Sequence, residues 1–248
     1  YGTILAILLF GGYLIQKGSM KVGELTGFLS YVLQILNSLM MISNVFLMLT
    51  RSMASGARIL EVIDEKVDLT DEKARDIEVK HGSVEFEHVW FKYKKEAKEY
   101  VLSDISFHIE AGQTVGVIGQ TGAAKSTLVQ LIPRLYDATE GVVKVDGVPV
   151  QEYPMAHLRE AIAMVLQKNT LFSGSLLDNL RWGKEDASME EIEEACRIAC
   201  VDEVLERLPE GYETEMGQGG VNVSGGQKQR ICIARALLKK PKILILDD

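Results

Sequence analysis

The chain has 248 residues, a formal net charge of −8, a pI near 5.2 and 47% hydrophobic residues, many of them in the first fifty positions. That balance excludes a phosphate-backbone binder, which needs a basic stripe, and the length admits one large domain or one and a half small ones. Three cysteines without framework spacing speak for a reducing compartment.

Residues 1–16 carry no charge and are rich in Leu and Ile. They are too short to span a bilayer alone and lack the basic flank of a signal peptide. The chain opens at Tyr1 and closes inside a motif at Asp247-Asp248, so it reads as a fragment. After a short polar connection, residues 25–50 form an uncharged run of 26. As a helix this run is about 39 Å long, more than the ~30 Å hydrocarbon core. A buried helix of a soluble protein is the other reading, and the run is long for that. Ser30, Gln34, Asn37, Met41, Asn44 and Met48 recur at spacings of three and four and share one stripe. Such a stripe either holds helices together or faces a wet cavity, and both readings stand. Ala57, Leu60 and Ile63 keep helical spacing, so the helix is expected to leave the membrane and end near Asp64. Residues 65–82 read as a charged linker.

From residue 83 the pattern turns to strands. Val84 and Phe86 alternate, as do Ile105, Phe107 and Ile109. The segment "TVGVIG", residues 114–119, is expected as an apolar strand feeding a glycine-rich loop. Residues 141–150 read as a hairpin turning at Asp146-Gly147. Ser188 and Glu191 form a capping box for a helix to about Cys200. Cys196 and Cys200, four apart, are expected on one face of it as small buried hydrophobes. The segment "KILILDD" is expected as a buried strand ending in two carboxylates. Strands alternating with helices give an α/β domain.

The loop "GQTGAAKST" places Gly119, Gln120, Thr121, Gly122, Ala123, Ala124, Lys125, Ser126 and Thr127 in a near match to the P-loop pattern, whose backbone amides cradle phosphates. Lys125 is placed for the β- and γ-phosphates of a nucleotide and Ser126 for Mg²⁺. Asp247, at the end of the apolar strand, is placed for the same metal shell. Ala124 stands where the pattern has glycine.

Ser224-Gly225-Gly226-Gln227 resembles the signature motif of the ABC transporter family, and the resemblance covers the whole chain. "HVWFKY" resembles its aromatic A-loop, with Tyr93 as the ring that stacks on adenine and Trp90 and Phe91 as the alternatives. Gln167 in "VLQKNTLF" resembles the Q-loop glutamine, a further Mg²⁺ ligand and part of the catalytic set with Lys125. "TEMGQGGVNVSGGQ" resembles the exporter x-loop, with Gln218 where a glutamate is usual. The resemblance implies the end of an exporter membrane domain at 1–64, the linker at 65–82, and an ABC nucleotide-binding domain at 83–248. That domain would be an α/β P-loop fold with an antiparallel β subdomain and a helical subdomain. The implied ligands are ATP and Mg²⁺. The implied partners are a second exporter half, a transported substrate and the lipid bilayer, with no nucleic acid. The implied location is the cell membrane, multi-pass, with the ATP-binding domain in the cytoplasm. Ser224, Gly225, Gly226 and Gln227 would serve the nucleotide of the opposite subunit.

Two departures fall on one nucleotide. The resemblance calls for a glutamate after Asp247 as general base, and this chain has Asp248, about one bond length shorter in reach, ~1.5 Å. If the loop needs a positive φ at Ala124, the Cβ costs roughly 1–2 kcal/mol. This pattern resembles heterodimeric exporters with one weak site. A slow homodimer and a nucleotide-gated switch are the alternatives.

Overall fold

The computed structural model describes residues 2–94 and 96–247. These fall into two compact units, Tyr1–Val67 and Asp68–Asp248.

The first unit is a pair of helices, α1 (Gly2–Gln16) and α2 (Val22–Ile63). At 1.5 Å per residue the 42 residues of α2 reach about 63 Å. It is long and apolar enough to cross a membrane. Gly11 is the buried residue of α1, and a Cβ there would overlap the Leu25 side chain. The hydroxyls of Thr26, Ser30, Ser38, Ser43 and Thr50 donate to carbonyls one turn back. Ser30, Gln34, Asn37 and Met41 line one shallow depression together with Leu33 and Ser38.

The second unit begins with β1 (Val84–Phe91), β2 (Leu102–Ile109), α3 (Lys125–Gln130), β3 (Glu140–Val145) and β4 (Val148–Pro149). The middle of the chain adds α4 (Met155–Ala161), β5 (Ile162–Val165), β6 (Gly174–Ser175), α5 (Leu176–Arg181), α6 (Met189–Ile198) and α7 (Asp202–Leu205). It closes with β7 (Glu215–Met216), α8 (Gly225–Leu238) and β8 (Ile243–Leu246). The antiparallel sheet has the order β2-β1-β3-β4. Its alternating apolar residues, Val84, Phe86, Val89 and Phe91, enter one core with Val143, Val145, Leu131 and Leu158. Phe86 stacks on Phe107 at 4.5 Å. The ladder slips at His88, whose φ is +47°. Gly141 lies against this bulge with φ +78°, and a Cβ there would collide with the His88 carbonyl. A second core joins α5, α6 and α8 through Leu176, Leu180, Ile192, Cys196, Ile231 and Ala234. Three helices, α5, α6 and α8, start with a serine capping box, at Ser175, Ser188 and Ser224.

Four expectations change. Residues 114–119 carry no ladder among the described residues, and Ile118 is 98% exposed. A strand exists through its neighbours, and apolar composition does not supply one. For the same reason β8 is only partly covered: it pairs with β5 on one edge, leaving Leu246 exposed. The α6 helix stops at Ile198, and Cys200 follows with φ +54°, so it is exposed while Cys196 is buried. Finally, residues 68–82, expected within a linker, are fastened to the second unit. Buried Arg134 donates to the Thr70 carbonyl and Asp137, and pairs with Asp71. The Asp146 carboxylate accepts the backbone N–H groups of Lys80, His81, Gly82 and Ser83 at 2.7–3.0 Å.

Asp146 sits in the hairpin turn with Gly147, both at positive φ. Burial pushes its carboxyl pKa up, but the four backbone donors outweigh that and hold it below the ordinary value. A depressed acid stabilises the fold above its unfolded pKa of about 4, and the contribution is lost as pH falls through the folded value. Asp146→Asn is therefore expected to lower stability at pH 7 by about 1–3 kcal/mol. Thermal unfolding at pH 7 and pH 3 checks this: the gap between wild type and variant should shrink at the lower pH.

Candidate functional site

The site is built at one end of the parallel pair. β5 and β8 are in register from Ile162↔Ile243 to Val165↔Leu246. One bond further, the Asp247 N–H donates to the Val165 carbonyl at 2.9 Å. The ladder therefore delivers Asp247 at its end, and Gln167 two residues past β5. Ser126, in the first turn of α3, donates its hydroxyl to Asp247 Oδ1 at 2.9 Å. Residues 121–127, Gln167, Asp247 and Val101 line one pocket.

The loop ahead of α3 is shaped by two left-handed positions. Gly122 has φ +84°, and Ala124 has φ +59° and ψ +26°. A positive φ is free for glycine and costly for an L-residue, so Ala124 carries strain where the pattern has glycine. Part of that cost is offset, because Ala124 packs against the first core. The N–H groups of the first helical turn have no intrahelical acceptor and are available to an anion. Lys125 Nζ folds back over the loop onto the carbonyls of Gly119 and Gln120, at 3.0 and 3.1 Å. Lys125 thus lines the pocket together with the start of α3.

Among the three candidate rings, the geometry separates Tyr93 from the others. Phe91 is in the core, and Trp90 packs on Tyr100 at 5.1 Å. The Tyr93 hydroxyl reaches Thr127 Oγ1 at 2.8 Å, and the residue is 52% exposed. Ser224, Gly225, Gly226 and Gln227 do not join this pocket. They open α8, with the Ser224 hydroxyl accepting the Gln227 N–H at 3.3 Å and the Gln227 side chain accepting the Ser224 N–H at 2.8 Å. Ser224, Gly225 and Gly226 are exposed. Asp248, expected as the base, lies outside the described residues.

Two contributors are absent from the sequence reading. Val101 supplies an apolar wall of the pocket, placed by its N–H to the Phe91 carbonyl at 2.7 Å. An isolated valine after a charged loop carries no periodic signal. Asn179 is buried and fastens the segment beyond Gln167. It bonds the N–H and carbonyl of Phe172, and Arg235 donates to it from α8.

The donor set fits a magnesium ion: a hydroxyl, a carboxylate and an amide oxygen, with the remaining positions left to phosphates and water. No group of three or more His, Cys, Asp or Glu suited to a metal occurs among the described residues.

A family profile described as ABC transporter matches residues 102–248. An uncharacterized ABC transporter ATP-binding protein of Bacillus subtilis, YfiB, is 44% identical over 245 residues, covering 99% of this chain and 42% of the relative. An ATP-dependent lipid A-core flippase of Chromobacterium violaceum is 39% identical over 246 residues, covering 99% of this chain and 42% of its own length. The solved structure of a bacterial Atm1-family ABC exporter with ATP bound superposes with a TM-score of 0.72 at 32% identity, over 98% of this chain and 42% of that one. The chain thus spans less than half the length of these relatives.

The strain at Ala124 gives a prediction with a sign. Ala124→Gly relieves about 1–2 kcal/mol of left-handed cost and adds about 0.4–1 kcal/mol of unfolded-chain entropy. A net gain of up to about 1.6 kcal/mol is expected, whereas Ala124→Val should lose stability. Denaturant unfolding of the two variants checks this. A loss for glycine would mean that core packing of the Ala124 methyl outweighs the strain.

Proposed function

Because the chain belongs to the ABC transporter family, we propose that it is the ATP-binding and ATP-hydrolysing part of an exporter half, coupling that chemistry to movement of a substrate across a membrane. The observation that carries this is the 2.9 Å bond between Ser126 and Asp247, which closes a pocket holding Lys125 and Gln167. It is an arrangement suited to phosphoryl transfer: a lysine for the terminal phosphates, and a hydroxyl and a carboxylate that would hold the metal. In this reading Tyr93 stacks on the base and residues 119–127 wrap the phosphates. Ser126, Asp247 and Gln167 would hold Mg²⁺, which would supply charge stabilisation for the transferring group.

The long apolar α2 on the same chain supports the exporter assignment. The reading is of a multi-pass cell-membrane protein, with the nucleotide unit on the cytoplasmic side, where ATP is. Ser224 is exposed and stands apart from the chain's own pocket, which supports its service to a second half's nucleotide. Asymmetry between the two sites follows. This chain's own phosphate loop carries a strained Ala124 and its strand end a short Asp248, while its signature is intact. The own site therefore binds ATP and cleaves it slowly, and a different partner chain supplies the better base.

The test is an ATPase assay of the full-length assembled transporter. Asp248→Asn is expected to leave most of the activity. Ser224→Arg is expected to remove most of it, by filling the phosphate position with a bulky cation. The cap lost with Ser224 costs only about 0.5–2 kcal/mol, so thermal unfolding distinguishes misfolding from lost turnover. Loss of a working base costs about 10²–10⁴-fold. If Asp248→Asn alone produced that fall, the weak-site reading would be wrong.

A further inference from the structure

Thr127 is 6% exposed, and a hydroxyl buried that deeply requires a partner. The partner is the Tyr93 phenol at 2.8 Å. The two residues belong to different elements. Thr127 is the third residue of α3, directly after Lys125 and Ser126. Tyr93 lies in the loop beyond β1, where its ring is braced edge-to-face by Phe91 at 4.9 Å and Tyr136 at 5.1 Å. The ring contacts limit its tilt. The single O–H···O bond fixes its position relative to the phosphate loop.

From this geometry we propose that Thr127 is a positioning residue for the base-stacking ring, locking Tyr93 to α3 so that base and phosphates are read as one rigid unit. The proposal deepens the nucleotide reading above and rests on it. A side chain on a loop holds a ligand less well than one on a rigid element, because its freedom is lost at the moment of binding. The Thr127 bond moves that loss to folding. Its contribution should therefore appear on ligands that carry a base and be absent on phosphates alone.

The full-length protein is titrated with Mg·ATP and with Mg·tripolyphosphate, as wild type, Thr127→Val, Tyr93→Phe, the double variant and Thr127→Ser. Tyr93→Phe keeps the ring and removes only the hydroxyl. Each of the first two variants is expected to weaken ATP binding roughly three- to tenfold, the scale of one net hydrogen bond. The double variant should be no worse than either alone, since both remove the same bond. Thr127→Ser should restore ATP affinity, and tripolyphosphate affinity in Tyr93→Phe should stay within about twofold. Equal losses for ATP and tripolyphosphate in Thr127→Val would overturn the proposal, because the hydroxyl would then act on the phosphates. Additive losses in the double variant, or unchanged ATP binding in Tyr93→Phe, would also overturn it. A wild type that binds ATP no better than tripolyphosphate would instead overturn the stacking role of Tyr93.

Discussion

The bond between Ser126 and Asp247 joins positions 121 residues apart, and the pocket depends on its being possible. Two separate conditions meet there. The β5–β8 ladder must hold its register so that Asp247 emerges beside Val165. A slip of one residue would turn the carboxylate to the other face of the pair. The loop before α3 must also reverse sharply enough to bring Ser126 over the same strand end, which is why Gly122 and Ala124 take positive φ. The carboxyl ends of parallel strands are where α/β sheets gather ligands, and Gln167 and Asp247 are delivered there by adjacent strands. Chain between β5 and β8 is free to leave and return, and it builds the second core on the way.

That excursion carries Ser224 to the start of α8, and its cap would still leave it able to meet a phosphate. As the first residue before α8 it accepts the Gln227 N–H, an ordinary cap. A serine hydroxyl has one proton and two lone pairs. The cap uses one lone pair and leaves the proton free to donate. The adjacent Gly225 and Gly226 add backbone groups with no side chain over them. The capping box at Ser188 uses a glutamate in the third position, held to a pKa of about 2 by Lys184 and Lys240. At Ser224 the corresponding residue is Gln227, neutral, so the helix start that would meet a phosphate carries no carboxylate beside it.

The local features were legible in the sequence. The Asp146-Gly147 turn, the Ser188 box, the phosphate loop and the length of α2 each follow from residues within a few positions of one another. What the sequence concealed depends on distant partners. Residues 114–119 have the composition of a strand, yet pairing is a property of neighbours. The docking of residues 68–82 rests on Asp146 and Arg134, some 64 positions away. Cys200 left the expected helix face because α6 ends early, and no periodicity marks such an ending. Motif position already favoured Tyr93 over Trp90 and Phe91, but its hydrogen bond to Thr127 joins residues 34 positions apart and could not be read from the sequence.

The polar stripe of α2 divides into two chemical classes. The hydroxyls of Ser30 and Ser38 are satisfied by their own helix, donating one turn back at 2.9 Å. In hydrocarbon they ask nothing of a neighbour. The amides of Gln34, Asn37 and Asn44 make no such bond among the described residues. An amide carries two donors and an acceptor, and leaving these unpaired in lipid costs several kcal/mol per group, by order of magnitude. Gluing and cavity lining therefore both require this face to turn away from lipid. In a membrane-spanning α2 the stripe would fix the helix's rotation about its axis, and the amides, more than the serines, would set it.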